Sequence, residues 1–97
     1  MADLRTLNLD SRVQRKADLP WKQLGDTVVL LDLVSGDFLE LDDVGSWIWN
    51  RLDGAQTLAD HADALAREYG IDADTARSDL IGFVGDLRDK GLIDRVA

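Results

Sequence analysis

Between residues 20 and 41 the apolar positions come in short bursts or alternate with polar ones, whereas beyond Asp42 they return every three to four residues. This change of period divides the chain into a strand-forming part and a helix-forming part. Pro20 cannot donate a backbone hydrogen bond and biases Leu19 to an extended conformation. A first strand is therefore expected from Trp21 to Leu24, turning at Gly25-Asp26. Thr27 to Val34 carries the strongest strand signal, because Val28, Val29, Leu30, Leu31 and Leu33 leave it apolar on both faces, as suits a middle strand. Ser35-Gly36 supplies a turn, and Asp37 to Leu41 returns as a third strand with Leu39 and Leu41 on one face and Phe38 and Glu40 on the other. The result is a three-stranded meander whose third strand is an edge.

The helical part follows by its caps. Asp42 or Asp43 can accept from free backbone N–H groups, and Val44, Trp47, Ile48 and Leu52 then share one face up to Gly54. Trp47 is expected in the core on this face. Trp49, about 200° round the helix, is expected partly exposed. Thr57 with Asp60 forms a capping-box variant before Leu58, Ala62, Leu65 and Tyr69, and Gly70 closes that helix. A third helix opens at Asp72 or Asp74, with Ala76, Leu80, Phe83, Val84 and Leu87 as its stripe up to Gly91. Gly82 and Gly85 inside it suggest close packing against a neighbouring element, since each costs roughly 0.8–1 kcal/mol relative to alanine. The tail "LIDRV" is short and apolar enough to pack or to pair. Residues 1–11 show no sustained period, so 1–20 reads as a terminal segment free to be flexible and 21–97 as the domain.

Charge and composition remove several function classes. The 97 residues carry a formal charge of −8. The first 22 hold five basic and three acidic residues, which leaves −10 on the other 75. An acidic body is poorly placed to neutralise phosphates, and the stretch Asp72 to Lys90 holds five acidic residues against three basic ones, which speaks against a winged-helix transcription regulator. The absence of cysteine excludes thiolate metal sites and cysteine nucleophiles and suits a reducing, cytoplasmic setting. No apolar run is long enough to span a membrane. His61, the single histidine, falls off the apolar stripe of the second helix and is expected in solvent; one histidine makes neither a metal site nor a catalytic triad. Catalytic residues, a metal and a cofactor are all expected to be absent.

The stretch "VVLLDLVSGDFLELDDVGSWIWNRLDGAQTLADHADALAREYGID" followed by "DLIGFVGDLRDKGLI" resembles the PqqD-like family of peptide-recognition elements in ribosomal peptide maturation. The similarity lies in the apolar strand, the Gly-Asp turn with an aromatic after it, the "G-x-x-I-W" helix, the "L-D-G-x-x-T" link and the final "F-V-x-x-L-x-x-K-G-L-I". Asp42 stands where the family frequently has asparagine, and Val44 where it frequently has threonine. The resemblance implies an α+β, winged-helix-like fold, with the three-stranded antiparallel β-meander followed by three α-helices. It also implies capture of the leader segment of a precursor peptide as an added strand on the third strand, in a groove walled by the third helix. Carried onto this chain, the peptide-binding edge is Asp37, Phe38, Leu39, Glu40 and Leu41. The wall is Leu80, Phe83, Val84 and Leu87, with Asp79, Asp86 and Arg88 as rim charges, although periodicity alone assigns the apolar four to the core.

The function this implies is a non-catalytic adaptor, a monomer or weak homodimer, that presents a precursor peptide to a modifying enzyme. That enzyme would be a radical SAM enzyme, as in pyrroloquinoline quinone synthesis, or a leader protease, as in lasso-peptide maturation. The other readings are the winged-helix regulator, disfavoured by charge, and a small structural subunit of a larger enzyme. Binding to nucleic acid or membrane is not expected.

Overall fold

In the computed structural model, which describes residues 7–96, the strands are β1 (Arg12–Arg15), β2 (Trp21–Leu24), β3 (Thr27–Leu31), β4 (Phe38–Glu40) and β5 (Ile93–Val96). The helices are α1 (Asp43–Arg51), α2 (Leu58–Tyr69) and α3 (Ala73–Asp89), in chain order between β4 and β5. The expected meander is present as an antiparallel sheet in the order β2-β3-β4. Its registers place Leu30 beside both Trp21 and Leu39, and Leu31 beside Phe38. The turn between β3 and β4 passes through Gly36 at φ 78°, a left-handed conformation that glycine adopts without steric cost.

Each helix starts where its cap was expected. Asp42 accepts from the Gly45 N–H at 2.6 Å and Asp72 from the Thr75 N–H at 2.7 Å. Thr57 and Asp60 exchange side-chain-to-backbone bonds, both 3.2 Å, as a full capping box. Buried Leu58, Ala62 and Leu65 of α2 meet Ala76, Leu80, Val84 and Leu87 of α3 in one core with Val28, Leu30, Ile48, Trp49 and Leu52.

The chain's two ends form a second sheet. β1 pairs antiparallel with β5, Arg12 opposite Val96 and Arg15 opposite Ile93, and it buries Val13 completely. Residues 7–20, expected as a loose segment, are therefore built into the domain: Leu19 belongs to the core, Leu7 packs against it, and the carbonyls of Leu9 and Ser11 accept from Ala59 and Leu58, each at 2.9 Å. The expectation for residues 1–6 lies outside the described residues.

Three side-chain expectations are corrected. On α1 it is Trp49 that is wholly buried, edge-on to Trp21 with centroids 6.0 Å apart, while Trp47 is half-buried under the Arg51 guanidinium and beside Tyr69. The helix is turned by one residue from its expected face. The reason is long-range: a methyl group at Gly45 would sit 3.0 Å from the Phe83 ring, so the glycine lets α1 approach α3 on that side. The buried Ser46 hydroxyl fixes the turn, accepting from the Val28 N–H at 2.8 Å and donating to the Leu41 carbonyl at 3.2 Å. His61, expected in solvent, is 1% exposed, with Arg51, Asp53 and Asp60 as the charged groups near it. Finally, Gly82 has no neighbour for a side chain to meet and Gly85 only the Arg88 guanidinium, so neither glycine serves close packing within the chain.

Candidate functional site

The sheet of β2, β3 and β4 ends in an open edge, and the hydrogen-bond parity says which groups face it. In an antiparallel pair, bonds are exchanged at every second residue. The Leu41 N–H donates to the Val28 carbonyl and the Asp32 N–H to the Asp37 carbonyl, both at 2.9 Å. Asp37, Leu39 and Leu41 therefore turn their backbone groups toward β3. Phe38 and Glu40 turn theirs outward, and those N–H and C=O groups are free to receive another strand. β4 is short, and Phe38 keeps 76% of its surface exposed.

Two depressions lie at or just past the ends of β4, and each reaches α3 or its C-cap. One, of about 350 Å³, is lined by Asp32, Ser35, Asp37, Phe38, Leu39 and Lys90, and joins the β3–β4 turn to the end of α3. The other, of about 290 Å³, is lined by Asp42, Val44, Gly45, Ile48, Asp79 and Phe83, and joins the start of α1 to the middle of α3. Charge differs between the two. Lys90 stands at the first beside Asp32 and Asp37; the Val34 and then the Ser35 backbone N–H groups hold Asp32 below the usual carboxylate range, and the Lys90 charge adds least to this. Asp42 and Asp79 stand at the second.

The residues expected at the site divide by exposure. Asp37, Phe38, Leu39, Asp79 and Phe83 line the depressions, and Glu40 and Asp86 are exposed. Leu41, Leu80, Val84 and Leu87 are buried at 6% exposure or less, so their side chains back the site from the core. That corrects the expected place of Leu80, Val84 and Leu87 on the wall and of the Leu41 side chain on the edge. The cause is the stripe itself, because Leu80, Val84 and Leu87 recur at helical spacing on the face that packs on α2. Arg88 is partly buried and its Nε donates to Asp89 at 3.1 Å. Val44 and Ile48, expected only on the apolar face of α1, and Lys90 line the depressions without having been expected at the site. Lys90 follows the last turn of α3 and lies outside any periodic stripe.

Among the described residues no three His, Asp or Glu side chains gather as a metal would require. His61 is enclosed with neither ring nitrogen hydrogen-bonded, and burial first, then the Arg51 charge, pushes its pKa down. No helix of the described residues is long and apolar enough to cross a membrane.

The chain shares this arrangement with proteins of known structure. It superposes on TbiB1 in complex with the TbiA(beta) leader peptide with a TM-score of 0.76 at 33% identity, covering 87% of this chain and 98% of that one. On lasso peptide synthetase B1 complexed with the leader peptide the TM-score is 0.74 at 28% identity, covering 86% and 98%. A protein named PqqA binding protein, from Xanthomonas campestris pv. campestris strain B100, is 38% identical over 55 residues, or 57% of this chain. The chain thus spans about three fifths, 60%, of the curated relatives it matches, and the same holds for strain 8004. Residues 27–93 match the model of coenzyme PQQ synthesis protein D, and with more than half of its length inside that match, the chain belongs to the PqqD family.

Proposed function

We propose that this chain is a non-catalytic adaptor that binds the leader segment of a ribosomally made precursor peptide and presents it to a modifying enzyme. The observation that carries the reading is the open β4 edge, where Phe38 and Glu40 direct their backbone groups away from β3 beside the depressions of α3. An extended peptide laid there gains main-chain hydrogen bonds from the edge and side-chain selectivity from the depressions. Two relatives of the same fold were solved with leader peptides, and the curated relatives are named for binding PqqA, which supports the same ligand class. Asp37 to Glu40 form the binding strand, backed by buried Leu41, and Phe83, Asp79, Asp86 and Lys90 the facing side. The enzyme served is a radical SAM enzyme or a leader protease.

The test is calorimetric titration with the short peptide encoded nearest to this protein, on wild type and Glu40→Pro. Proline at position 40 deletes an N–H that points outward, so it breaks no bond to β3 while removing a donor from the added strand. One lost bond is worth on the order of 1 kcal/mol, and a disturbed register raises the loss to tenfold or more in Kd. Unchanged affinity in a Glu40→Pro protein with native circular dichroism and a cooperative melt removes the peptide from this edge.

A further inference from the structure

The second face of the β2-β3-β4 sheet is largely apolar, and no described element packs over it. Antiparallel sheets that meet water on one side are normally polar there. Here the outward rows hold Leu31 beside Phe38, and Lys22, Val29 and Glu40 in line. Phe38 is 76% and Leu24 51% exposed, and with Pro20, Val29 and Leu31 they line a depression of about 340 Å³ on which Lys22 is the one charged residue among those described. The strip begins on β4 itself, since Phe38 is both an edge residue and part of this face.

What covers it follows from the pleat. Successive side chains of a strand point to opposite faces, so any strand added to β4 directs half of its side chains toward α3 and the other half beside Phe38 and Glu40. Glu40 forms no ion pair among the described residues. Lys22 shares its row but lies two strand spacings away, roughly 9.5 Å. An incoming side chain beside Glu40 therefore meets an unpaired carboxylate, and one beside Phe38 meets an exposed ring. Cross-strand neighbours of matched chemistry stabilise a sheet and like charges destabilise it.

We propose that this outer face reads a second set of ligand side chains: an aromatic or β-branched residue beside Phe38 and a lysine or arginine beside Glu40, two positions apart in the peptide. In a strand parallel to β4 the apolar residue comes first, and in an antiparallel strand the basic one does. This rests on the edge-binding reading above and adds to it a sequence requirement on the ligand that the α3 side does not impose.

The experiment is selection of a fully randomised nine-residue display library against the full chain as wild type, Phe38→Ser, Glu40→Lys and Glu40→Pro, with solution Kd values for the enriched peptides. Phe38→Ser is safe for the fold, because its side chain is mostly in water. Wild type should enrich peptides with an apolar and a basic residue at i and i+2. Phe38→Ser should lose the apolar preference, Glu40→Lys should exchange basic for acidic, and replacing either ligand side chain should weaken binding to wild type roughly 1.4- to 5-fold. Identical enrichment on wild type, Phe38→Ser and Glu40→Lys, with Glu40→Pro abolishing binding, overturns the outer-face proposal and leaves the edge reading standing. Enriched peptides that bind Glu40→Pro as well as wild type overturn both, as does failure to enrich any peptide. Concentration-dependent dimerisation of wild type that disappears in Phe38→Ser assigns the face to a second copy instead and also overturns the proposal.

Discussion

Removing the Ser46 hydroxyl should unfasten the place where the sheet hands over to the helices. By the parity of the β3–β4 ladder, the Val28 N–H should meet the Leu41 carbonyl directly; instead the Ser46 oxygen stands between them, 2.8 Å from the first and 3.2 Å from the second. Ser46 is 2% exposed and Val28 wholly buried, so water cannot replace the hydroxyl. Ser46→Ala therefore leaves a buried donor without an acceptor, a cost of about 1–3 kcal/mol beyond what a surface serine would show. For a domain of this size each kcal/mol lowers Tm by roughly 4–8 °C. The measurement is urea unfolding of wild type, Ser46→Ala and Ser78→Ala, the last an exposed serine on α3 whose loss should be nearly neutral. Amide exchange at Val28 should accelerate in Ser46→Ala well beyond the global effect. A loss below about 0.5 kcal/mol with Val28 still protected would mean that the ladder closes directly and that the relay contributes nothing.

Trp49→Ala should cost about 3–5 kcal/mol by urea unfolding and Trp47→Ala clearly less, reversing the order expected from the sequence stripe. Because burial holds His61 neutral in the fold while the unfolded chain takes up its proton near pH 6.5, stability should be full above that pH and decline as pH falls below it; His61→Leu should flatten this part of the profile. Thr57→Ala removes one half of the capping box and should destabilise by about 1 kcal/mol, read as a fall of several degrees in Tm.

The local chemistry of the chain was legible and its long-range packing was not. Caps at Asp42, Thr57 and Asp72 and turns at Gly25 and Gly36 are fixed by a few neighbouring residues, so their positions follow from the sequence. The face of α1 does not, because Ile48 and Leu52 belong equally to a stripe with Trp47 and to one with Trp49. The choice between them is made by Phe83 of α3 and by the Val28 amide, both remote along the chain. His61 reads as exposed because it lies off the α2 stripe, and the docking of residues 9–11 on the start of α2 was equally hidden, since β1 must find β5 across the length of the chain. At the site, the edge strand was evident from strand order. The composition of its flank was not, since the apolar stripe of α3 has one core-facing side, and only the partner elements decide that Phe83 stays accessible while Leu80, Val84 and Leu87 do not.

Arg15 ties together parts that share no sheet. Its N–H donates to the Leu52 carbonyl at 3.0 Å, its Nη1 to the Trp49 carbonyl at 2.8 Å, and its guanidinium lies 5.4 Å from the centre of the Trp21 ring. One side chain thus couples the terminal sheet to the end of α1 and to the meander. A two-stranded ribbon alone is marginal in water and would be the first element to fray. Held by this clasp, β1 and β5 should open only with the whole domain, so their amides should exchange at the rate of global unfolding, and the molecule should melt in a single step although its strands lie in two separate sheets.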